Sequence, residues 1–170
     1  MAGKLLLILF GHSGSGKNFV GILLEEEYDF KYFDLDPLLP AEMVHALKQK
    51  EPEKITEIMR DTFYQNCADF IREHQGDHPR IAVSQALTRE HHRLYLSGQL
   101  PNAKFIWIRA PRDLRATRIS QRNNHLIDLQ TARKIGTFEP PQMKHWVIDN
   151  DDGKDKLKQQ IDELLKELSN

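Results

Sequence analysis

A single cysteine, Cys67, among 170 residues excludes any disulfide within the chain and makes a reducing cytoplasm the expected location. Charge of one sign is not in excess either. Against 24 Lys and Arg stand 25 Asp and Glu, a formal net charge of −1. That balance removes any global reason to expect nucleic acid or an acidic membrane as a partner. Long hydrophobic runs are missing: Leu5 to Phe10 is far too short to span a bilayer, and no cleavage site follows it. There is no internal repeat, no low-complexity segment and no Asn-Lys-x-Asp guanine signature, so a GTPase is not expected. The eight histidines show no zinc spacing, and His91-His92 reads as helix surface before it reads as a metal site. What remains is one domain over 1–170, large enough to bury its own core, expected as a monomer or homodimer.

What is present begins with Gly11-His12-Ser13-Gly14-Ser15-Gly16-Lys17-Asn18, directly after the apolar run Leu5 to Phe10. This reads as a phosphate-binding loop between a buried strand and a helix. Gly11, Gly14 and Gly16 permit the backbone angles of a tight loop and let amides approach a phosphate. Lys17 opens a helix carrying Val20, Leu23 and Leu24, so the positive end of its dipole faces the anion. The Lys17 ammonium would reach the outer phosphates, and Ser13 and Ser15 lie within the cradle. The pattern GxxxxGK[ST] breaks at Asn18, where a hydroxyl normally meets magnesium. An amide oxygen can take that place if its NH2 group points elsewhere.

Further along, short apolar runs alternate with helical patterns. Strands are expected at Leu5 to Phe10, Lys31 to Phe33, Ile81 to Ser84, Phe105 to Ile108 and Trp146 to Ile148. Helices are expected at Asn18 to Glu27, Glu53 to Glu73, Arg89 to Leu96, Leu114 to Gln121 and Lys154 to Leu168. The last carries Leu157, Ile161, Leu164, Leu165 and Leu168 on one face, a docking stripe. Such alternation implies an α/β fold: right-handed crossovers and a parallel sheet covered on both faces. Ligands then sit beyond the carboxyl ends of the strands, which places Gly11, Asp34, Ser84 and Arg109 on one rim. Cys67, Trp107 and Trp146 read as packing.

Two clusters on that rim could carry chemistry. The second strand ends in Phe33-Asp34-Leu35-Asp36-Pro37, whose carboxylates could serve a metal and a substrate hydroxyl; equally, one of them could cap the helix after Pro37. No Asp directly follows the third strand, so Asp34 is the natural acidic group for magnesium. Arg109, Arg112, Arg115, Arg118 and Arg122 recur every three or four residues. Arg112 and Arg115 fit a solvated basic face, whereas Arg118 and Arg122 are placed to meet a nucleotide.

Together these features resemble the P-loop small-molecule kinases typified by gluconate kinase and shikimate kinase. The segment from Arg118 to His125, running on to Phe138-Glu139-Pro140-Pro141, is similar to the gluconate kinase lid, with the arginine spacing, a histidine and the Pro-Pro ending. Leu126 and Ile127 replace its Phe-Met. The resemblance implies a P-loop NTPase fold with five parallel strands ordered 2-3-1-4-5, a lid at about 122–138 and an acceptor-binding helical region at about 37–75. It implies ATP and Mg2+ as cofactors. Lys17 would stabilise the transferred phosphoryl group, Asp34 would orient magnesium through water, and Asp36 would bind and deprotonate the acceptor hydroxyl. Arg118 would pack on adenine and Arg122 would close on the phosphates. Arg60, at the usual distance after the Asp pair, would bind the acceptor, together with Asp36 and Arg89. Phe63 stands where gluconate kinases have Trp.

The acceptor half departs from both patterns. The segment Ser84-Gln85-Ala86-Leu87-Thr88-Arg89 matches neither the usual gluconate kinase run nor the three glycines of shikimate kinases. The expectation is therefore an ATP-dependent phosphotransferase acting on a hydroxyl of a small anionic metabolite, a gluconate-like sugar acid first. Shikimate, a nucleoside or a nucleotide are alternative acceptors, and a nucleotide-binding regulator with decayed catalysis is an alternative of another class.

Overall fold

The computed structural model describes residues 3–122, 127–135 and 137–170. Its centre is β1 (Leu5–Phe10), six residues without a charge, flanked by β3 (Arg80–Ser84) and β4 (Ala103–Arg109). The edges are β2 (Lys31–Asp34) and β5 (Trp146–Asp149), giving the order β2-β3-β1-β4-β5 with every pairing parallel. This is the sheet order that the kinase resemblance implies.

Alternation along β1 divides the core in two. Leu6, Ile8 and Phe10 pack with Phe63, Cys67, Ala68 and Ile71 of α3 (Glu57–His74) and Leu96 of α4 (Glu90–Gln99). Leu7 and Leu9 face the opposite way, toward Val20, Leu23 and Leu24 of α1 (Lys17–Glu27). On that same side dock all five stripe residues of α7 (Gly153–Leu168): Leu157, Ile161 and Leu164 are buried, and Leu165 and Leu168 pack against them half-buried. A strand buried on both faces needs an apolar residue at every position, and that is why β1 reads as a continuous hydrophobic run.

Several boundaries differ from the expected ones for local chemical reasons. Helix α3 begins at Glu57 rather than Glu53, because Pro52 to Lys54 forms a separate 3-10 turn. Thr56 then caps α3, its Oγ1 accepting from Met59 N at 3.2 Å. After Pro37 no long helix starts directly. Asp36–Leu38 is a 3-10 turn, and α2 (Ala41–Lys48) follows Pro40. Neither aspartate caps α2. Asp34 Oδ1 instead accepts from Asp36 N at 3.0 Å, closing the turn at the strand end.

Helix α5 (Arg112–Ser120) leads toward the lid segment. Within it α6 (Leu129–Ile135) starts where Asp128 Oδ1 accepts from Thr131 N at 2.7 Å. Lys134 Nζ donates to Lys50 O at 3.1 Å, and Lys50 pairs with Asp128 at 2.9 Å, so α6 rests beside the Pro52 turn. His125 and Leu126, quoted for the lid resemblance, lie outside the described residues. Among the described residues no helix is long and apolar enough to cross a membrane.

Arg93, fully buried, ties the Phe138-Glu139 segment to α4. Its guanidinium donates to Leu87 O at 2.8 Å, to Glu90 at 2.7 Å and to Glu139 O at 2.5 Å, between the rings of Phe10 and Phe138. Glu139 Oε2 in turn accepts from Glu90 N at 2.8 Å, satisfying a free amide at the start of α4. A buried charge with this many partners is a fixed point of the fold.

Candidate active site

The loop after β1 is built around two glycines that no other residue could replace. Gly16 has φ 89° and immediately precedes α1, and a Cβ there would collide with the Asn150 amide. Gly14, at φ 83°, lies against the backbone of α5, where a Cβ would stand 2.6 Å from Arg115 O. Both positions combine a left-handed backbone with a close approach, the demand that only glycine meets. No side chain caps α1, so its first amides remain for an anion.

Lys17 curls back over this loop, donating to Gly11 O at 3.0 Å and His12 O at 2.8 Å. Two of its three protons are thus used, leaving the third for the cavity it lines. Burial, opposed in part by Asp36 and Asp34, lowers the ammonium to about 8. His12 is brought to about 4 by burial first and then by Arg115 and Lys17, so its imidazole is neutral near pH 7. Its ring sits 4.4 Å from that of Phe138.

One cavity of about 550 Å3 runs across the loop. Its lining combines the loop residues Ser13, Gly16, Lys17 and Asn18 with Asp36, Leu39, Gln85 and Ala86 and with Arg118, Arg122, Asn150, Gly153 and Lys154. Arg118 is fixed by the loop it serves, donating to Gly14 O at 3.2 Å, Ser15 O at 3.3 Å and Asn150 O at 2.7 Å. Asn150 Nδ2 donates to Ser15 O at 3.0 Å, so this buried residue and Arg118 together brace the loop from β5. Arg122 is half-buried, and burial lowers its pKa while Asp36 acts in the opposite sense. Asp36 Oδ1 accepts from Gln85 Nε2 at 2.9 Å, which holds the carboxylate at the cavity wall.

Around Asn18 the arrangement is more specific than its sequence position suggests. Its Oδ1 lies 3.0 Å from Tyr32 Oη and 3.2 Å from Ser84 Oγ, and those two hydroxyls are 2.6 Å apart. Two hydroxyl protons serve three contacts, so at least one hydroxyl proton is directed at the amide oxygen or relayed to it. Asn18 Nδ2 points to Asp34 Oδ2 at 3.4 Å. Burial raises the Asp34 carboxyl above its usual range, offset in part by the Asp36 backbone N–H that it accepts.

The arginines expected at the acceptor come together away from this cavity. Arg60 Nη1 donates to Ile55 O at 3.0 Å and meets Glu57 Oε1 at 3.3 Å; Arg89 contacts that same Glu57 oxygen. Glu57 is thus a carboxylate shared by two candidate acceptor-binding guanidinium groups. Arg115 lines a neighbouring cavity of about 610 Å3 with Arg112, rather than lying wholly on a solvated face.

Sequence reasoning left out Asn150, Gln85, Tyr32 and Arg93. Asn150 directly follows β5 and so lies on the rim where strands end, a signal that was available. Tyr32 and Ser84 meet Asn18 only through the pairing of β2 with β3, which single-residue patterns do not encode.

No protein-family model matches the chain, and no curated protein matches it by sequence. Solved structures do. A sugar kinase from Janibacter sp. HTCC2649, solved unliganded, superposes with a TM-score of 0.80 at 18% identity, over 98% of this chain and 95% of that one. A gluconokinase from Sinorhizobium meliloti 1021 gives 0.77 at 18% identity over 99% and 98%. A shikimate kinase from Aquifex aeolicus vf5 gives 0.63 at 15% identity over 97% and 98%. With its parallel sheet ordered 2-3-1-4-5, the chain therefore has the fold of the P-loop small-molecule kinases.

Proposed function

We propose that the protein is an ATP-dependent phosphotransferase acting on a hydroxyl of a small anionic metabolite, with a gluconate-like sugar acid as the first candidate. The observation that carries this reading is a cavity whose lining joins the loop residues Gly16 and Lys17 with Asp36. A donor and an acceptor bound there would lie side by side without crossing protein. Transfer of this kind needs positioning and charge stabilisation more than covalent chemistry from the enzyme.

The residues present fit a nucleotide. The glycine cradle, the free amides of α1 and Lys17 suit a polyphosphate, while Arg118 and Asn150 hold the loop's shape. In this reading Ser13 and Ser15 belong to the cradle, Arg118 also offers a face to adenine, and Arg122 closes on the phosphates from the lid at about 122–138. Asp36 takes the acceptor proton and Gln85 keeps its carboxylate oriented. The region at about 37–75 would receive the rest of the acceptor.

The residues also fit magnesium, as hard oxygen donors on one rim. Asp34 would hold the ion through water, and Asn18 would reach it only by releasing its contacts with Tyr32 and Ser84. Bound magnesium would neutralise charge on the transferring phosphates. Replacing Asn18 by Thr should therefore lower the magnesium concentration giving half-maximal activity. Asp34→Asn should harm the parent more than it harms the Asn18→Thr protein. Magnesium titrations of the four proteins check both statements.

Arg60 and Arg89 stand outside the lining of the cavity, and in this reading they leave Glu57 to meet the carboxylate of an acceptor that extends beyond it. Arg60→Ala should raise the apparent KM for a carboxylate acceptor about tenfold or more, as loss of a charge-assisted contact does, while ATP affinity stays nearly unchanged. Arg60→Lys should recover only part of that loss, because a point charge does not reproduce bidentate recognition. Steady-state kinetics against both substrates decide the matter; an unchanged acceptor KM in Arg60→Ala would remove the arginine from this role.

The proposal itself is tested by ADP release with ATP and magnesium over a panel of sugar acids, neutral sugars, shikimate and nucleosides. Acceptor-dependent release, strongest with a sugar acid, is expected. The hydroxyl contacts that occupy the Asn18 oxygen favour a second reading, a nucleotide-binding regulator. Nucleotide binding with no turnover of any acceptor would support that one.

A further inference from the structure

Where the first turn of α3 faces the first turn of α4, four side chains bring nitrogen and oxygen donors together. Glu57 and Asp61 stand one helical turn apart on α3, and His91 and His92 come from α4. His91 Nε2 lies 3.4 Å from Glu57 Oε2; His92 Nε2 lies 3.7 Å from that oxygen and 3.5 Å from Asp61 Oδ1. The ligand atoms of Glu57, His91 and His92 all lie within 4.8 Å of one another.

These spacings are too long for charge-assisted hydrogen bonds, which close to about 2.7–2.9 Å. The separations of 3.4 and 3.5 Å match that of two ligands on one tetrahedral ion, about 3.3–3.5 Å for bonds of about 2.0–2.1 Å, and 3.7 Å lies just beyond it. His92 adds an independent sign. Its side chain is only 4% exposed, yet its Nε2 has no hydrogen-bond partner among the described residues and is directed at both carboxylates. Leaving such a group unpaired is costly, and a coordinated ion would satisfy it.

Surrounding contacts prepare the ligands. Glu57 Oε1 is held by Arg60 and Arg89, which leaves Oε2 for the imidazoles, the kind of outer support that orients a ligating carboxylate. Two imidazoles with one carboxylate suit zinc better than magnesium or calcium. We propose that Glu57, His91 and His92 form a binding site for a divalent transition-metal ion of the zinc class, with the fourth position left to solvent. The site takes no part in the chemical step, but through Glu57 its occupancy would act on the position of Arg60 and Arg89, a coupling that rests on the acceptor role proposed for them.

The test uses the full chain stripped by a chelator and dialysed. Cobalt is titrated in while visible absorption is followed, and zinc is then added in competition. One cobalt per chain with the strong bands of tetrahedral coordination, displaced by one zinc, is expected. His91→Asn changes a residue whose side chain is 57% exposed, so the fold is not at risk, and it should weaken zinc binding at least ~10-fold. Glu57→Gln should do the same, and His45→Asn, at an exposed position on α2, should bind like the parent. No saturable zinc binding, or undiminished affinity in both His91→Asn and Glu57→Gln, would overturn the proposal.

Discussion

Lys17→Ala should reduce phosphoryl transfer by at least ~10²-fold in kcat, the usual loss when a preorganised donor to the transition state is removed. The ammonium stands at the start of α1, fixed by two loop carbonyls at 3.0 and 2.8 Å, so little reorganisation is needed when a phosphate arrives. Lys17 also sets a pH dependence whose sign is fixed. Burial lowers its pKa from 10.5 to about 8 in the free protein, so the charge is complete below that pH and is lost above it. An anionic nucleotide binds the charged form. Affinity for a non-hydrolysable ATP analogue should accordingly be full near pH 7 and fall by up to ~10-fold per pH unit above about 8. Lys17→Arg keeps its charge throughout and should flatten that decline. An equally steep decline in Lys17→Arg would assign the titration to another group, and unchanged turnover in Lys17→Ala would remove the loop from the mechanism.

Asp36→Asn should lower kcat by about 10²–10⁴-fold, the range lost with a positioned general base, while nucleotide affinity stays close to that of the parent. The substitution preserves shape. An Asn oxygen can still accept from Gln85 Nε2, which now meets the carboxylate at 2.9 Å, so the change removes charge and basicity rather than packing. Single-turnover measurements with the best acceptor separate the chemical step from binding. A loss confined to acceptor KM would make Asp36 a binding group and leave proton removal to another residue or to solvent.

The parts of this protein that could be read from its chain are those governed by local rules. Leu5–Phe10 is recognisable because a strand covered on both faces must be apolar throughout, and the loop because its glycines stand at fixed intervals before a lysine. The rim rule pointed to the ends of the strands, and Asp36, just beyond β2, does line the cavity beside the loop. Contacts made by pairing distant segments were not legible. Tyr32 and Ser84 reach Asn18 because Asp34 pairs with Ser84 across two parallel strands, 50 residues apart in sequence. Arg93 looks like any arginine of a polar helix, yet it is the buried link between α4 and Glu139. Arg60 and Arg89 were read as separate acceptor contacts, and their common partner Glu57 emerges only when α3 packs against α4. Helix α3 was read four residues too early because Pro52 to Lys54 has helical composition but forms its own short turn.

The central claim is that a phosphoryl group passes directly from ATP to an acceptor hydroxyl inside one cavity. Phosphorus NMR of a reaction containing ATP, magnesium and the most active sugar acid from the panel tests it most directly. A new phosphomonoester signal should grow in step with ADP, with no free phosphate, and it should vanish in Lys17→Ala. ADP formed together with inorganic phosphate at the same rate with and without acceptor, or no ADP although the nucleotide binds, would contradict the account.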